Sequence, residues 1–392
     1  MENMQMLIEL NEKARERGKS FQKKRELYTI LFNEKSTKIF SGIAGFRGCG
    51  KTVMLQQLLN ELSDAFYISC DRFGGNIYSV ANELQKKGIK YLLLDEISYI
   101  PKWRAQLKKI YDNLNIRIFF TSSSSIDVFK SRIDLSRRVK IHDLHTFSFR
   151  EYIHIVNNNE IECINLKNIA KPLDDWIRYE AQFREYCNSG ALPASVEGSD
   201  VKNIIERIME HDLPVYARIY MEEISEIRRI FNFLTNSSPE SISYSAISKH
   251  AGINIYKAIK YVKILESAFL INIITPEGRN VMKEPKILLP PPLRAAFSSL
   301  PENMLKGSIR EDFFVHNAIC AGYRPKYLKS NRGRKTPDYL IDDLVVEVGG
   351  RGKGRTQFKG FKTKKTILAV SPGVYSESKV PLIAFGFLCR KN

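Results

Sequence analysis

Gly45-Phe46-Arg47-Gly48-Cys49-Gly50-Lys51-Thr52 fits the pattern G-x-x-x-x-G-K-[ST] at every fixed position. That spacing builds a loop whose backbone N–H groups wrap a phosphate chain, and it requires a strand before the loop and a helix after it. Both are legible. Residues 36–44, with Thr37, Ile39, Phe40 and Ile43, read as a short buried strand. Residues 53–62 place Val53, Leu55, Leu58, Leu59 and Leu62 at helical spacing. Gly45, Gly48 and Gly50 are expected to take backbone angles that a side chain would forbid. The start of the helix adds partial positive charge at the phosphates. The fold class that follows is α/β, built on a parallel sheet.

The loop gives meaning to two later segments. Tyr91-Leu92-Leu93-Leu94-Asp95-Glu96 is a continuous apolar run ending in two carboxylates, as expected of a strand buried on both faces. In this reading Lys51 reaches the β/γ-phosphates of ATP, Thr52 and (through water) Asp95 hold Mg²⁺ from two adjoining strand ends, and Glu96 orients or deprotonates the attacking water. Asp95 as an ordinary helix cap is the plainer alternative. A third strand, Arg117-Ile118-Phe119-Phe120, runs into Thr121-Ser122-Ser123-Ser124-Ser125. Ser123 is the candidate for sensing the γ-phosphate or placing the water, with Thr121 and Ser122 next. A serine-rich capping turn is the alternative.

With Ser136-Arg137-Arg138-Val139 and Phe147-Ser148-Phe149-Arg150-Glu151-Tyr152, these segments resemble the AAA+-type P-loop ATPases common in archaea and bacteria. The resemblance implies a P-loop NTPase sheet with a helical lid, ATP bound along residues 45–52 with Mg²⁺, and hydrolysis. It also implies a homo-oligomer in which Arg138 acts in trans as an arginine finger. Arg137 stands where that family usually has glycine, and a surface ion pair is the other reading of Arg138.

The chain has 392 residues, a hydrophobic content of 43% and a net charge of +18. This size supports two or three domains, and no apolar run approaches the roughly 20 residues that span a bilayer. The six cysteines contain no C-x-x-C pair, so neither a zinc site nor a disulfide framework is indicated, and a cytoplasmic setting is expected. The positive charge favours polyanions. It clusters without acids over residues 324–335 (Arg324, Lys326, Lys329, Arg332, Arg334, Lys335) and 351–365 (Arg351, Lys353, Arg355, Lys359, Lys362, Lys364, Lys365).

The expected organisation is a basic N-terminal helical segment (1–35), an ATPase core (36–150), a helical lid (151–222), a winged helix-turn-helix (223–275), a proline-rich connector (276–300) and a C-terminal domain (301–392). In the winged-helix reading the third helix offers Asn254, Lys257, Lys260 and Lys263 to DNA; packing alone is the alternative. In the C-terminal domain Glu311, Asp338 and Glu347 are spaced so that a helix acid and two strand acids converge on one divalent metal. That arrangement resembles the PD-(D/E)xK, restriction-endonuclease-like fold. Gly349 occupies the usual lysine position, Lys353 is the nearest replacement, and Gln357 resembles a glutamine that follows the core in some of these nucleases. Three readings stay open: an ATPase acting on DNA, a STAND-like regulatory ATPase that switches protein contacts, and a metal-dependent nuclease licensed by ATP.

Overall fold

The computed structural model describes residues 2–123, 135, 137–172, 176–217, 219–278, 284–328, 336–360, 365–376 and 378–391. Ser124, Ser125, Ser136, Lys329, Arg332, Arg334, Lys335, Lys362 and Lys364 lie outside them. The chain forms two compact units, residues 1–145 and 146–392.

In the first unit, helix α1 (Glu2–Lys19) is followed by α2 (Glu26–Asn33), β1 (Phe40–Gly45), α3 (Lys51–Glu61) and β2 (Ala65–Ser69). Then come α4 (Ile77–Lys86), β3 (Tyr91–Asp95), α5 (Trp103–Asn113), β4 (Arg117–Ser122) and β5 (Val139–Leu144). The strands make a five-stranded sheet in the order β2-β3-β4-β1-β5, parallel throughout. β1 and β4 are buried along their whole length, as central strands covered on both faces should be. β5, at the edge of the sheet, mixes buried and exposed residues.

β1 starts later than its apolar residues suggest. Thr37 and Ile39 precede it and Ile39 is 43% exposed. β4 also lies between β1 and β3, so the two strands that carry the loop and Asp95 are not neighbours. α1 buries Leu7, Asn11, Ala14 and Gly18, a helical stripe. Asn11 Oδ1 accepts from Tyr67 N at 2.9 Å, which occupies an amide of edge strand β2.

The second unit is organised around an aromatic core in which Phe149, Phe183, Tyr186, Phe313 and Phe387 meet. Residues expected to form a lid thus share a core with the long helix Glu302–Cys320 and with a mixed sheet of order β12-β11-β10-β9-β8. Its strands are β8 (Lys326–Tyr327), β9 (Tyr339–Ile341), β10 (Leu344–Gly349), β11 (Lys365–Val370) and β12 (Lys379–Pro381). β8, β9 and β10 pair antiparallel, whereas β10, β11 and β12 pair parallel.

Between these parts, helices Met221–Thr235, Tyr244–Ala251 and Ile255–Ser267 precede an antiparallel pair, β6 (Asn272–Ile274) with β7 (Lys286–Leu288). β7 therefore belongs to a hairpin rather than to a connector. Gly252, at φ 67°, makes the turn between the second and third helices. Arg294, 2% exposed, bonds Asp312 Oδ2 at 2.5 Å and donates to the carbonyls of Leu234 (3.1 Å) and Ser237 (2.8 Å). A buried guanidinium is tolerated when it is satisfied in this way.

Cys163 and Cys389 form a disulfide, contrary to the expectation from cysteine spacing. They lie 226 residues apart, and local spacing carries no trace of the pairing. Backbone bonds from Ile164 N to Phe387 O and from Cys389 N to Ile164 O, both 2.8 Å, bring them together.

Candidate functional site

The glycine loop leaves β1 and opens directly into α3. Gly48 (φ 78°) and Gly50 (φ 94°) are left-handed, as expected of them. Gly45 is required for a different reason. A Cβ there would stand 2.2 Å from Leu144 O and 3.0 Å from Cys49 Sγ, so the constraint is space and not backbone angle. Phe46 and Cys49 are buried, and burial raises the Cys49 thiol pKa, which protects it from oxidation. Arg25 Nη1 donates to Cys49 O at 2.9 Å and His145 O at 2.8 Å, tying the loop to the chain after β5.

Lys51 is 5% exposed, and its ammonium donates to Gly45 O at 3.0 Å and Phe46 O at 3.2 Å. No side chain caps the start of α3 at Gly50, and a Cβ at Gly50 would meet nothing within 4 Å. A buried ammonium, an uncapped helix start and open space beside the loop together fit a phosphate chain.

Asp95, at the end of β3, is buried and hydrogen-bonded on both oxygens. Tyr67 O–H donates to Oδ2 at 2.8 Å and Thr121 O–H to Oδ1 at 2.5 Å. The Thr52 hydroxyl lies near enough to the same carboxylate to stabilise its charge. Burial, then the neighbouring Glu96 charge, raises the Asp95 pKa, and the Thr121, Tyr67 and Thr52 hydroxyls oppose that rise. A carboxylate beside the Thr52 hydroxyl is a hard oxygen donor set suited to Mg²⁺.

Glu96 takes a left-handed backbone conformation, φ 52°, uncommon for a residue with a side chain. Its N–H donates to Thr121 Oγ1 at 2.8 Å. Ser123 N donates to Glu96 Oε2 at 3.1 Å and the Ser123 hydroxyl donates to Oε1. Lys51 Nζ is 3.8 Å from Oε1. Lys51, Thr52, Asp95, Glu96, Thr121 and Ser123 therefore stand in one connected network at the carboxyl ends of β1, β3 and β4.

Arg138 is not part of it. It precedes β5 at the opposite end of the sheet, pairs with Asp112 at 3.0 Å and lies over the Tyr111 ring. Sequence reasoning also missed Tyr67 and Arg25. Tyr67 sits in an apolar run, and only the pairing of β2 with β3 shows that its hydroxyl meets Asp95. Arg25 reads as one cation among many.

In the second unit Glu311, Asp338 and Glu347 are drawn together, with lysines among them. Lys353 Nζ is 2.5 Å from Glu347 Oε1 and 3.7 Å from Asp338 Oδ2. Lys286 pairs with Glu311, which also accepts from Tyr339 O–H at 2.6 Å. Burial and the Glu311 charge push Asp338 up to about 7. The Lys353 stem fills the space that a side chain at Gly349 would use, 2.2 Å from the position of its Cβ. Lys353 thus reaches the acids from four residues beyond the usual lysine position. Among the described residues, however, no three carboxylate, histidine or cysteine side chains are grouped to hold one metal ion. The three acids do not form the expected metal centre: Lys353 takes Glu347 Oε1 and Lys286 takes Glu311 Oε2, while Glu347 Oε2 is buried without a hydrogen-bond partner among the described residues.

Two of the three expected DNA-facing lysines are also engaged. Lys257 pairs with Glu226 at 3.1 Å and Lys260 with Glu223 at 2.8 Å, while Asn254 caps its helix through Lys257 N.

Comparison with known proteins matches residues 37–153 to the AAA domain and residues 180–289 to a domain of unknown function, DUF8612. An uncharacterized protein of Methanocaldococcus jannaschii is 27% identical over 401 aligned residues, covering 88% of this chain and 84% of that protein. An uncharacterized protein of Haemophilus influenzae is 22% identical over 270, covering 61% of this chain and 63% of that protein. Among solved structures, AMPPCP-bound DnaA of Aquifex aeolicus is 15% identical, covering 62% of this chain and 86% of that one, with a TM-score of 0.26. The Thermotoga maritima RuvB Holliday junction branch migration motor is 12% identical, covering 65% and 91%, with a TM-score of 0.25. At such scores the likeness decides nothing about this chain. Among the described residues no helix is long and apolar enough to cross a membrane.

Proposed function

We propose that the first unit is a Mg²⁺-dependent ATPase. One observation carries this reading: Lys51, Thr52, Asp95, Glu96 and Ser123, expected as a phosphate cation, two metal ligands, a base and a residue that senses the γ-phosphate or places the water, meet in one network. Bound Mg²⁺ would neutralise phosphate charge and fix the transferring group. Lys51 would exchange two loop carbonyls for phosphate oxygens, gaining charge-assisted bonds. Thr52 and Asp95 would hold the metal, with Tyr67 and Thr121 keeping the Asp95 carboxylate in place. Glu96 would accept the proton of the attacking water, oriented by Ser123. Arg138 belongs to this scheme only in trans, through a second copy of the chain. Lys51→Ala should abolish nucleotide binding or turnover, and Glu96→Gln should leave ATP bound but uncleaved. Unchanged turnover in the Glu96 variant would remove it from the mechanism.

A second reading concerns the partner of this ATPase. Three helices followed by a β-hairpin are the topology of a winged helix, which supports nucleic acid as that partner. Binding through phosphate contacts weakens steeply with salt. Full-length protein without affinity for DNA or RNA at low salt would leave the switch of protein contacts as the working account.

A further inference from the structure

A cavity in the first unit lies at the end of the sheet opposite the glycine loop. It has a volume of about 320 Å³ and is bordered by the first residues of β1, β3 and β4. Four cations line it, Lys35, Lys38, Lys90 and Arg117, together with Tyr91 and Tyr111, and no acid does. β1 is six residues long, which separates this cavity from the loop by roughly 20 Å.

Arg117 is the telling residue. It is 7% exposed, and Nε has no partner among the described residues. Nη2 donates to Ser41 Oγ at 2.7 Å, Nη1 lies 3.4 Å from Ile118 O, and the guanidinium stacks over Phe119. Glu34 stands behind Ser41, bonded to its hydroxyl at 2.5 Å, and is already matched by Lys140 at 2.6 Å and His142 at 3.0 Å. Arg117 is therefore a buried charge with hydroxyl and carbonyl partners, and the carboxylate that acts on it, Glu34, does so across Ser41 while shared with Lys140 and His142. Such a group is costly unless an anion completes it.

The rim adds further cations. Lys35 lies over Phe32 at 3.5 Å, near enough to Glu61 to interact with its charge, and Lys38 lies over Tyr111 at 5.0 Å. Lys90 pairs with Asp64 at 2.7 Å. The volume falls in the range of small-ligand sites. Guanidinium and ammonium donors select phosphate, and tyrosine rings offer a face to a base.

We infer that this cavity binds a nucleoside monophosphate unit, its phosphate toward Arg117 and Lys38 and its base against Tyr91. The unit could come from a free nucleotide or from a single strand, and both present the same chemistry. The test uses full-length Lys51→Ala protein, which silences the glycine loop, titrated at low salt by calorimetry. The probes are AMP, inorganic phosphate, adenosine and a five-nucleotide single-stranded DNA. AMP or the oligonucleotide should bind more tightly than phosphate or adenosine. Adding Lys35→Glu and Lys38→Glu should weaken that binding at least about tenfold with the melting temperature retained. Saturable AMP binding identifies the free nucleotide as the source, and oligonucleotide binding alone identifies a strand. Failure of both probes to bind, binding of phosphate as tight as AMP, or affinity unmoved by the charge reversals would overturn the inference. None of these results bears on turnover at the loop.

Discussion

Ser123→Ala isolates one bond in the network at the glycine loop. The serine holds Glu96 twice, by its N–H at 3.1 Å and by its hydroxyl on the other oxygen. Alanine removes only the second. A hydrogen bond to a charged group contributes about 1.5–3 kcal/mol. The retained main-chain bond keeps the carboxylate near its place, so the loss should sit near the lower end. About 1.5 kcal/mol on the chemical step is roughly a tenfold fall in kcat. KM should move little, because Ser123 is assigned to the base and not to the phosphates. Steady-state phosphate release at saturating Mg-ATP measures this. Ser123→Thr, which keeps a hydroxyl, should recover most of the rate. If Ser123→Ala turns over as fast as the parent or faster, the serine does not position Glu96.

Other consequences follow from neighbouring contacts. Tyr67→Phe removes the donor to Asp95 Oδ2 and one of the bonds that oppose the rise in its pKa. Mg²⁺-dependent ATP affinity should fall several-fold in a fluorescence titration, with the loss growing as pH falls; a loss that does not grow toward acid pH would contradict the link to ionisation. The Lys260 ammonium and then the Tyr220 N–H hold Glu223 down, at about 2. Because the folded value is the lower one, its stabilisation is present above the unfolded pKa near 4.5 and is lost as pH falls toward 2. The full shift corresponds to about 3 kcal/mol, but Lys260 is 54% exposed, and screening reduces the expected loss in Glu223→Gln to about 1 kcal/mol or less at pH 7. The same variant frees Lys260, so DNA affinity at low salt should rise if the third helix faces nucleic acid, and stay constant if that helix only packs. Full-length protein should leave plasmid intact in Mg²⁺ or Mn²⁺, since lysines occupy Glu311 and Glu347. Cleavage abolished by Glu347→Ala would show that the ammonium groups yield to metal.

The loop, the helix behind it and the strand ending at Asp95 were legible because each is a local pattern: fixed spacing, a 3.6-residue period, an apolar run. The network around Asp95 was legible only in part. Lys51, Thr52 and Glu96 belong to motifs, but Tyr67 becomes visible only once β2 is known to pair with β3, and chain order does not reveal strand order. The same limit hid the insertion of β4 between β1 and β3. Gly45 was singled out for the wrong physical reason, since its constraint comes from Leu144, about a hundred residues away in sequence. The disulfide between Cys163 and Cys389, and the lysines closing over Glu311 and Glu347, are likewise products of long-range packing. Charge was the least informative signal. Lys257 and Lys260 read as a basic face until Glu223 and Glu226 were placed beside them.

The most direct test is ATP titrated into the purified full-length chain with Mg²⁺, followed by calorimetry and phosphate release, beside Lys51→Ala. The parent should bind ATP saturably and release phosphate only when Mg²⁺ is present, and the variant should do neither. Well-folded parent protein that gives no heat and no phosphate, or a Lys51→Ala chain that matches it, would contradict the assignment of residues 45–52 as a nucleotide cradle.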